Sequence, residues 1–423
     1  MRIKYIEGLR GLAALIVLFG HTICAFFPLL FPYPTVLPMP LDYLATQPLL
    51  IKAFVFTPLI IFYNGVSAIF IFLIISGYVI SYNCFHNKDK NYITASFFKR
   101  YFRLTIPILF SCVISYFLLE VGAIHNIKAS WASHSTWFSQ FYACDADFFN
   151  MLKFVLYNEY SGPTREKLLC YGTIFWMMYA LLLGSFLVYA FYALFARASS
   201  RLRIFIYIAL IIIFSKTLLL AVILGMILFD MDANNVFRNV NKFILLIMLL
   251  SGIYLASLIR LDFPLYTILD IDFMKNYFGS WGGLYFFYYT IGAFLLFFAL
   301  SRLSFSRKVF SSKVAVYLGK ISFSIYILHF IVICSLSSYI FIWLKNYINA
   351  SNELSSIELS SIVTFAITIV VTISLSHIFH HYIELKSINW SQSLYNLVSG
   401  QKYVGLNKSE TGDGRKVQRP VKK

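Results

Sequence analysis

Apolar residues fall in long runs along this chain, and polar ones collect between the runs. Stretches able to cross a hydrocarbon layer of roughly 30 Å recur throughout. They predict ten helices, about 9–30, 54–81, 97–119, 173–195, 204–214, 217–229, 243–259, 284–300, 314–344 and 359–383. Residues 204–229, interrupted at Ser215 and Lys216, read either as two helices or as one long tilted one; two keep the charge pattern consistent. The first run follows Met-Arg-Ile-Lys with no small-residue cleavage site behind it, so it reads as a retained helix. The pattern predicts an all-α, polytopic integral membrane protein.

Composition supports this: 60% of residues are apolar and 13% charged. The net charge of +17 is a topology signal before it is anything else, because under ten crossings most of the 35 lysines and arginines fall on the amino-terminal side. Both termini are then cytosolic. Basic clusters such as "RASSRLR" and "SRLSFSRK" abut predicted spans and come with no nucleic-acid-binding fold, which argues against a nucleic-acid partner. Residues 1–385 form the membrane domain. Within it, 120–172 is the longest stretch outside the spans and is expected on the extracytoplasmic face, where Trp131 and Trp137 suit an interfacial cap or a carbohydrate-facing wall. Residues 386–423 are read as a basic cytosolic tail, polar and Gly-rich beyond Ser399, suited to disorder and to membrane lipid as a partner.

Candidate chemistry begins with "EGLRGLAALIVLFGH", Glu7 to His21. Arg10 and His21 stand eleven residues apart, about three helical turns, so both leave one face roughly 16 Å from each other. An ionisable group inside a span is a functional candidate by default, and histidine suits proton abstraction near neutrality. Glu7 shares that face and is expected to pair with Arg10. In "FFKRYFRL", Arg100 and Arg103 lie one turn apart beside Lys99. They suit either an anchored helix end or a site for a phosphorylated ligand. Cys112 and Cys334 read as packing residues; Cys144 and Cys170 can pair if their compartment is oxidising. No metal site is expected: His377, His380, His381 and Glu384 have a ligand-like spacing, but their place at the cytosolic end of the last span favours interfacial anchoring. Ser185, after a glycine, reads as small-residue packing.

In order along the chain, these motifs resemble those of the acyltransferase family 3 integral membrane proteins. The opening phrase Glu7-Gly8-Leu9-Arg10-Gly11-Leu12-Ala13-Ala14-Leu15 closes on His21 with the family's ten-residue gap between Arg and His. Ser76-Gly77-Tyr78 resembles the second-helix phrase, and Arg100-Tyr101-Phe102-Arg103 the Arg-x-x-Arg element. "LGKISFSIYILHF" is similar to the penultimate-helix signature, and "HHYIELKSINW" to the closing segment, with Lys386 where proline is usual. The fourth-helix motif keeps Trp176, Met178, Gly184 and Ser185 but has Leu181 where relatives carry glutamate. If that glutamate orients the catalytic histidine in relatives, this chain needs another group; Glu120 and Asp42 are weak nominees.

The resemblance implies transfer of an acyl group, commonly acetyl, from cytosolic acyl-CoA to a hydroxyl of an extracytoplasmic glycan such as a lipopolysaccharide or exopolysaccharide. It implies a bacterial inner-membrane enzyme with no permanently bound cofactor and acyl-CoA as co-substrate. His21 would deprotonate the acceptor, Arg10 would hold the donor or orient the site, and Arg100 and Arg103 would bind its phosphates. Glu7, Trp176, Tyr326 and His329 are further cavity candidates, with His329 also readable as a hydrogen-bonded helix contact. A catalytically silent homologue, suggested by Leu181, and a membrane transporter are the alternatives. No internal repeat of the transporter kind is visible.

Overall fold

A computed structural model describes residues 3–33, 40–87, 91–162, 170–171, 174–237, 239–279, 282–348 and 353–400, and all regular structure among these is helical. The principal helices are α1 (Lys4–Phe26), α2 (Gly65–His86), α3 (Tyr92–Glu120), α4 (Phe148–Leu156), α5 (Met178–Phe195), α6 (Ser200–Phe214) and α7 (Leu219–Ala233). They continue as α8 (Lys242–Ala256), α9 (Gly283–Arg302), α10 (Lys313–Lys320), α11 (Ser322–Val332), α12 (Ser338–Tyr347), α13 (Glu353–Phe379) and α14 (Leu385–Ser399). Among the described residues, seven rods are long and apolar enough to cross a membrane: α1, α2, α3, Phe175–Phe195, α9, Ser322–Tyr347 and Ser355–Ser399. The other predicted spans are α6, α7 and α8, of 15 residues each. At 1.5 Å per residue they measure about 22 Å, short of a bilayer core.

Local chemistry explains where the boundaries differ from expectation. The second span starts at Gly65, because Asn64 caps it by accepting from the Ser67 N–H at 3.3 Å, and Pro58 opens a separate 3-10 turn before it. The predicted helix 314–344 is broken at Ile321 and carries a π-helical turn at Ile333–Ser337. Residues 204–229 are two helices, folded back so that Arg203 near the start of α6 meets Asp230 near the end of α7 at 2.5 Å.

Two further differences concern the regions expected outside the spans. Within 120–172, α4 packs along α3, with Met151, Phe154 and Val155 buried. The Tyr101 hydroxyl donates to the Leu156 carbonyl at 2.8 Å and Thr105 bonds Tyr160 at 2.9 Å. Tyr101 is nineteen residues below Glu120, so this segment runs back beside α3 for about 28 Å instead of staying at one face. Cys144 and Cys170 are joined by a disulfide at its base. At the other end, residues 385–399 are helical: α14 packs on α3, where Lys99 donates to Gln392 at 2.7 Å. Residues 401–423 of the expected tail lie outside the described residues.

The core is assembled through glycine contacts. A Cβ at Gly77 would overlap the Val222 carbonyl and one at Gly225 the Ile74 carbonyl, so α2 and α7 meet backbone to backbone. The same contact joins α1 to α10: a Cβ at Gly319 would overlap the Glu7 carbonyl, and Gly11 faces the backbone of Gly319.

Candidate active site

The α1 contact sets the register of the site. Gly11 faces Gly319 at the end of α10, and ten residues further along the chain from each stand His21 on α1 and His329 on α11, beyond the break at Ile321. α1 packs against α11 as well as α10, which brings those residues to one level. There His21 Nδ1 and His329 Nε2 are 2.8 Å apart, with rings stacked at 5.1 Å and an interplanar angle of 1°. His329 is fully buried, and its Nδ1 lies 3.1 Å from the Ile325 carbonyl. That network assigns the tautomers. A carbonyl only accepts, so His329 Nδ1 carries the proton, its Nε2 accepts from His21 Nδ1–H, and His21 is left with a lone pair on Nε2. Nε2 has no hydrogen-bond partner among the described residues. Trp137 stacks over the His21 ring at 5.6 Å, and Phe330 meets its edge at 5.5 Å.

Toward the start of α1 lies a cavity of about 360 Å³, lined by Glu7, Arg10, Ser76, Lys99, Arg100, Arg103, Leu181, Tyr326 and Glu384 among others. Its arginines are under-paired. Arg10 meets Glu7 only at 3.9 Å. Arg100 makes one long contact, 3.4 Å to the Ser76 hydroxyl, and its Nε is buried without a partner among the described residues. No carboxylate pairs with Arg103 among these residues. The arrangement can bind an anionic ligand through guanidinium groups and, beyond it, remove a proton from a hydroxyl. Tyr326 joins the two regions, lining the cavity while its ring stands 5.9 Å from His329.

The structure therefore brings Arg10, Arg100, Arg103, Glu7 and Tyr326 to one cavity and pairs His329 with His21. Trp176 is elsewhere: its ring stacks on Phe286 at 5.7 Å, and its neighbour Met177 lines the cavity instead. Leu181 occupies the wall where the motif led to an expectation of glutamate. Glu120 and Asp42 are exposed and do not replace it; the group that orients His21 is His329. The Ser185 hydroxyl is spent on the Leu181 carbonyl at 2.5 Å.

Two carboxyl groups escape sequence reasoning. Glu384, read as interfacial, turns into the cavity, where its Oε2 accepts from Ser324 at 2.6 Å and pairs with His380 at 2.8 Å. The i, i+4 spacing with His380 and its place in the closing family segment hinted at this. Glu159, carried inward behind α4, is 4% exposed, and its Oε1 has no partner among the described residues. Nothing in the local sequence marks it.

Long apolar helices enclosing ionisable side chains define a polytopic helical membrane protein. The sequence model of the family described as "Acyltransferase domain", acyltransferase family 3, matches residues 3–381, and the chain belongs to that family. Two named relatives match over a shorter segment. "Acyltransferase R4" of Phoma sp. (strain ATCC 20986 / MF5453) is 26% identical over 117 residues, 28% of this chain and 25% of that protein. "Acyltransferase clz18" of Cochliobolus lunatus is 29% identical over 115 residues, 27% of this chain and 24% of that protein. The match thus spans about a quarter of the length of these relatives. No solved structure matches the chain.

Proposed function

We propose that this membrane acyltransferase moves an acyl group, acetyl in the first instance, from cytosolic acyl-CoA to a hydroxyl of an extracytoplasmic glycan such as a lipopolysaccharide O-antigen or exopolysaccharide. The observation that carries the reading is the pairing, on one helix, of an under-neutralised arginine cavity with a histidine whose Nε2 is open, about 16 Å further along. A phosphate-rich donor gives Arg10, Arg100 and Arg103 the anions they lack. Its long arm supports transfer across that span.

In this reading His21 Nε2 takes the proton of the acceptor hydroxyl as its oxygen attacks the thioester carbonyl. The C–S bond then breaks, and the proton passes to the departing CoA thiolate. His329 fixes the productive tautomer and carries no net charge of its own. The basic bias of the amino-terminal side supports cytosolic termini; the bacterial inner membrane is the location that the family resemblance implies.

Leu181 in the cavity wall favours a second reading, a homologue that binds the donor without turnover. The test is transfer from labelled acetyl-CoA to the cell-envelope glycan fraction in membranes carrying the native chain or His21→Ala. Label that disappears with His21→Ala supports the enzyme; CoA binding with no label from either protein supports the silent homologue.

A further inference from the structure

A carboxylate in a cavity built for phosphates is an anomaly, since it repels the ligand the arginines attract. Glu384 is such a group. A π-helical turn at His380–Glu384 interrupts the last long rod and turns this side chain inward, where Ser324 and His380 both hold Oε2. Oε1 has no hydrogen-bond partner among the described residues.

Its depth separates it from the cations. α14 runs opposite to α3, as Phe98 meets Tyr395 while Phe110 meets Trp390, with Lys99 bonded to Gln392. From that contact Arg100 and Arg103 lie within about 6 Å along α3, whereas Glu384 is eight residues, about 12 Å, further in along α14. There it neighbours Ser324, two residues before Tyr326 at the end of the cavity nearest the histidines. A ligand threaded past the arginines meets Oε1 only with a part beyond its phosphates, and that part must donate a hydrogen bond.

We propose that Glu384 is a specificity-determining residue whose Oε1 accepts from an amide N–H or the hydroxyl of the donor's pantetheine arm. The inference rests on the acyl-CoA reading above. It distinguishes a thioester carrier from a bare nucleotide, which also satisfies the arginines.

The experiment is equilibrium binding of CoA and of adenosine 3′,5′-bisphosphate, its nucleotide half without the arm, to the full chain in nanodiscs. Both bind the native chain, and Arg100→Ala weakens both. Glu384→Ala weakens CoA about tenfold while leaving the bisphosphate within about twofold, the size of one hydrogen bond. Glu384→Gln, which keeps a carbonyl acceptor, restores CoA affinity to within about threefold. Unchanged binding of both ligands to Glu384→Ala, or equal loss of both, overturns the assignment; retained bisphosphate affinity is itself the control for folding. Failure of the native chain to bind CoA overturns the donor reading and this inference with it.

Discussion

Two arginines in this bundle face the same physical problem and solve it differently. Arg203 meets Asp230 at 2.5 Å, its guanidinium stands 5.3 Å from the Phe191 ring centre, and Tyr192 and Tyr207 complete the carboxylate's contacts. Arg100 has one long bond to a serine and no carboxylate partner among the described residues, while the Nε of both arginines is buried without a described partner. A charge removed from water is tolerated when its partners are built in. One left incomplete, in a cavity, calls for a partner that arrives. The first arginine ties α6 to α7; the second fits the proposed donor site.

The largest expected effect tests the other half of the site. His21→Ala removes the proposed base and should lower acyl transfer by about 10²–10⁴-fold, while CoA affinity stays put. A matching loss of CoA affinity would instead place His21 in donor binding. Next in size is the closed pair. Asp230→Ala leaves a buried cation unpaired and costs about 3–5 kcal/mol of stability, read as a lower melting temperature in detergent. If Asp230→Ala melts like the native chain, the contrast with Arg100 collapses. Arg100→Ala should do the reverse, costing about 10- to 100-fold in CoA affinity with little change in melting, since hydrogen bonds to charged groups contribute about 1.5–3 kcal/mol.

Glu159 sharpens the comparison from the acidic side. Its buried carboxyl has an unpartnered oxygen, so Glu159→Leu should raise stability by about 1–3 kcal/mol. Lost transfer activity at unchanged stability would show that this carboxyl serves the site. The smallest effect belongs to Asp262, outside the spans, where a hydrogen bond from Arg260 holds the carboxyl below the usual carboxylate range. An acid depressed on folding contributes stability that is present above its unfolded value, about 3.9, and is lost only as pH falls through the folded one. The contribution of Asp262 should therefore be constant between about pH 7 and 5, so Asp262→Asn should shift melting by one fixed offset and leave the shape of that pH profile unchanged.

Much of the scaffold was legible in the sequence because the bilayer constraint acts locally: a span must hide its own backbone polar groups, which forces helix, and must be apolar along its length. Arg10 and His21 were legible for the same reason, since helical periodicity alone sets them on one face. Arg100 and Arg103 were visible as a pair but ambiguous, because an anchored helix end and an anion site have the same spacing. Folding of 148–160 back along α3 was not legible, as apolar residues at helical spacing do not say which surface they cover.

The sequence by itself determined the helical membrane class, the family motifs and the placement of a histidine and an arginine on one face of the first helix. Tertiary structure alone decided that His329, 308 residues away, fixes the His21 tautomer, that Leu181 faces the cavity, and that Glu384 enters it while Trp176 does not. These depend on how closely glycines let particular helices approach, and so on register between rods far apart in the chain. No local preference carries that information.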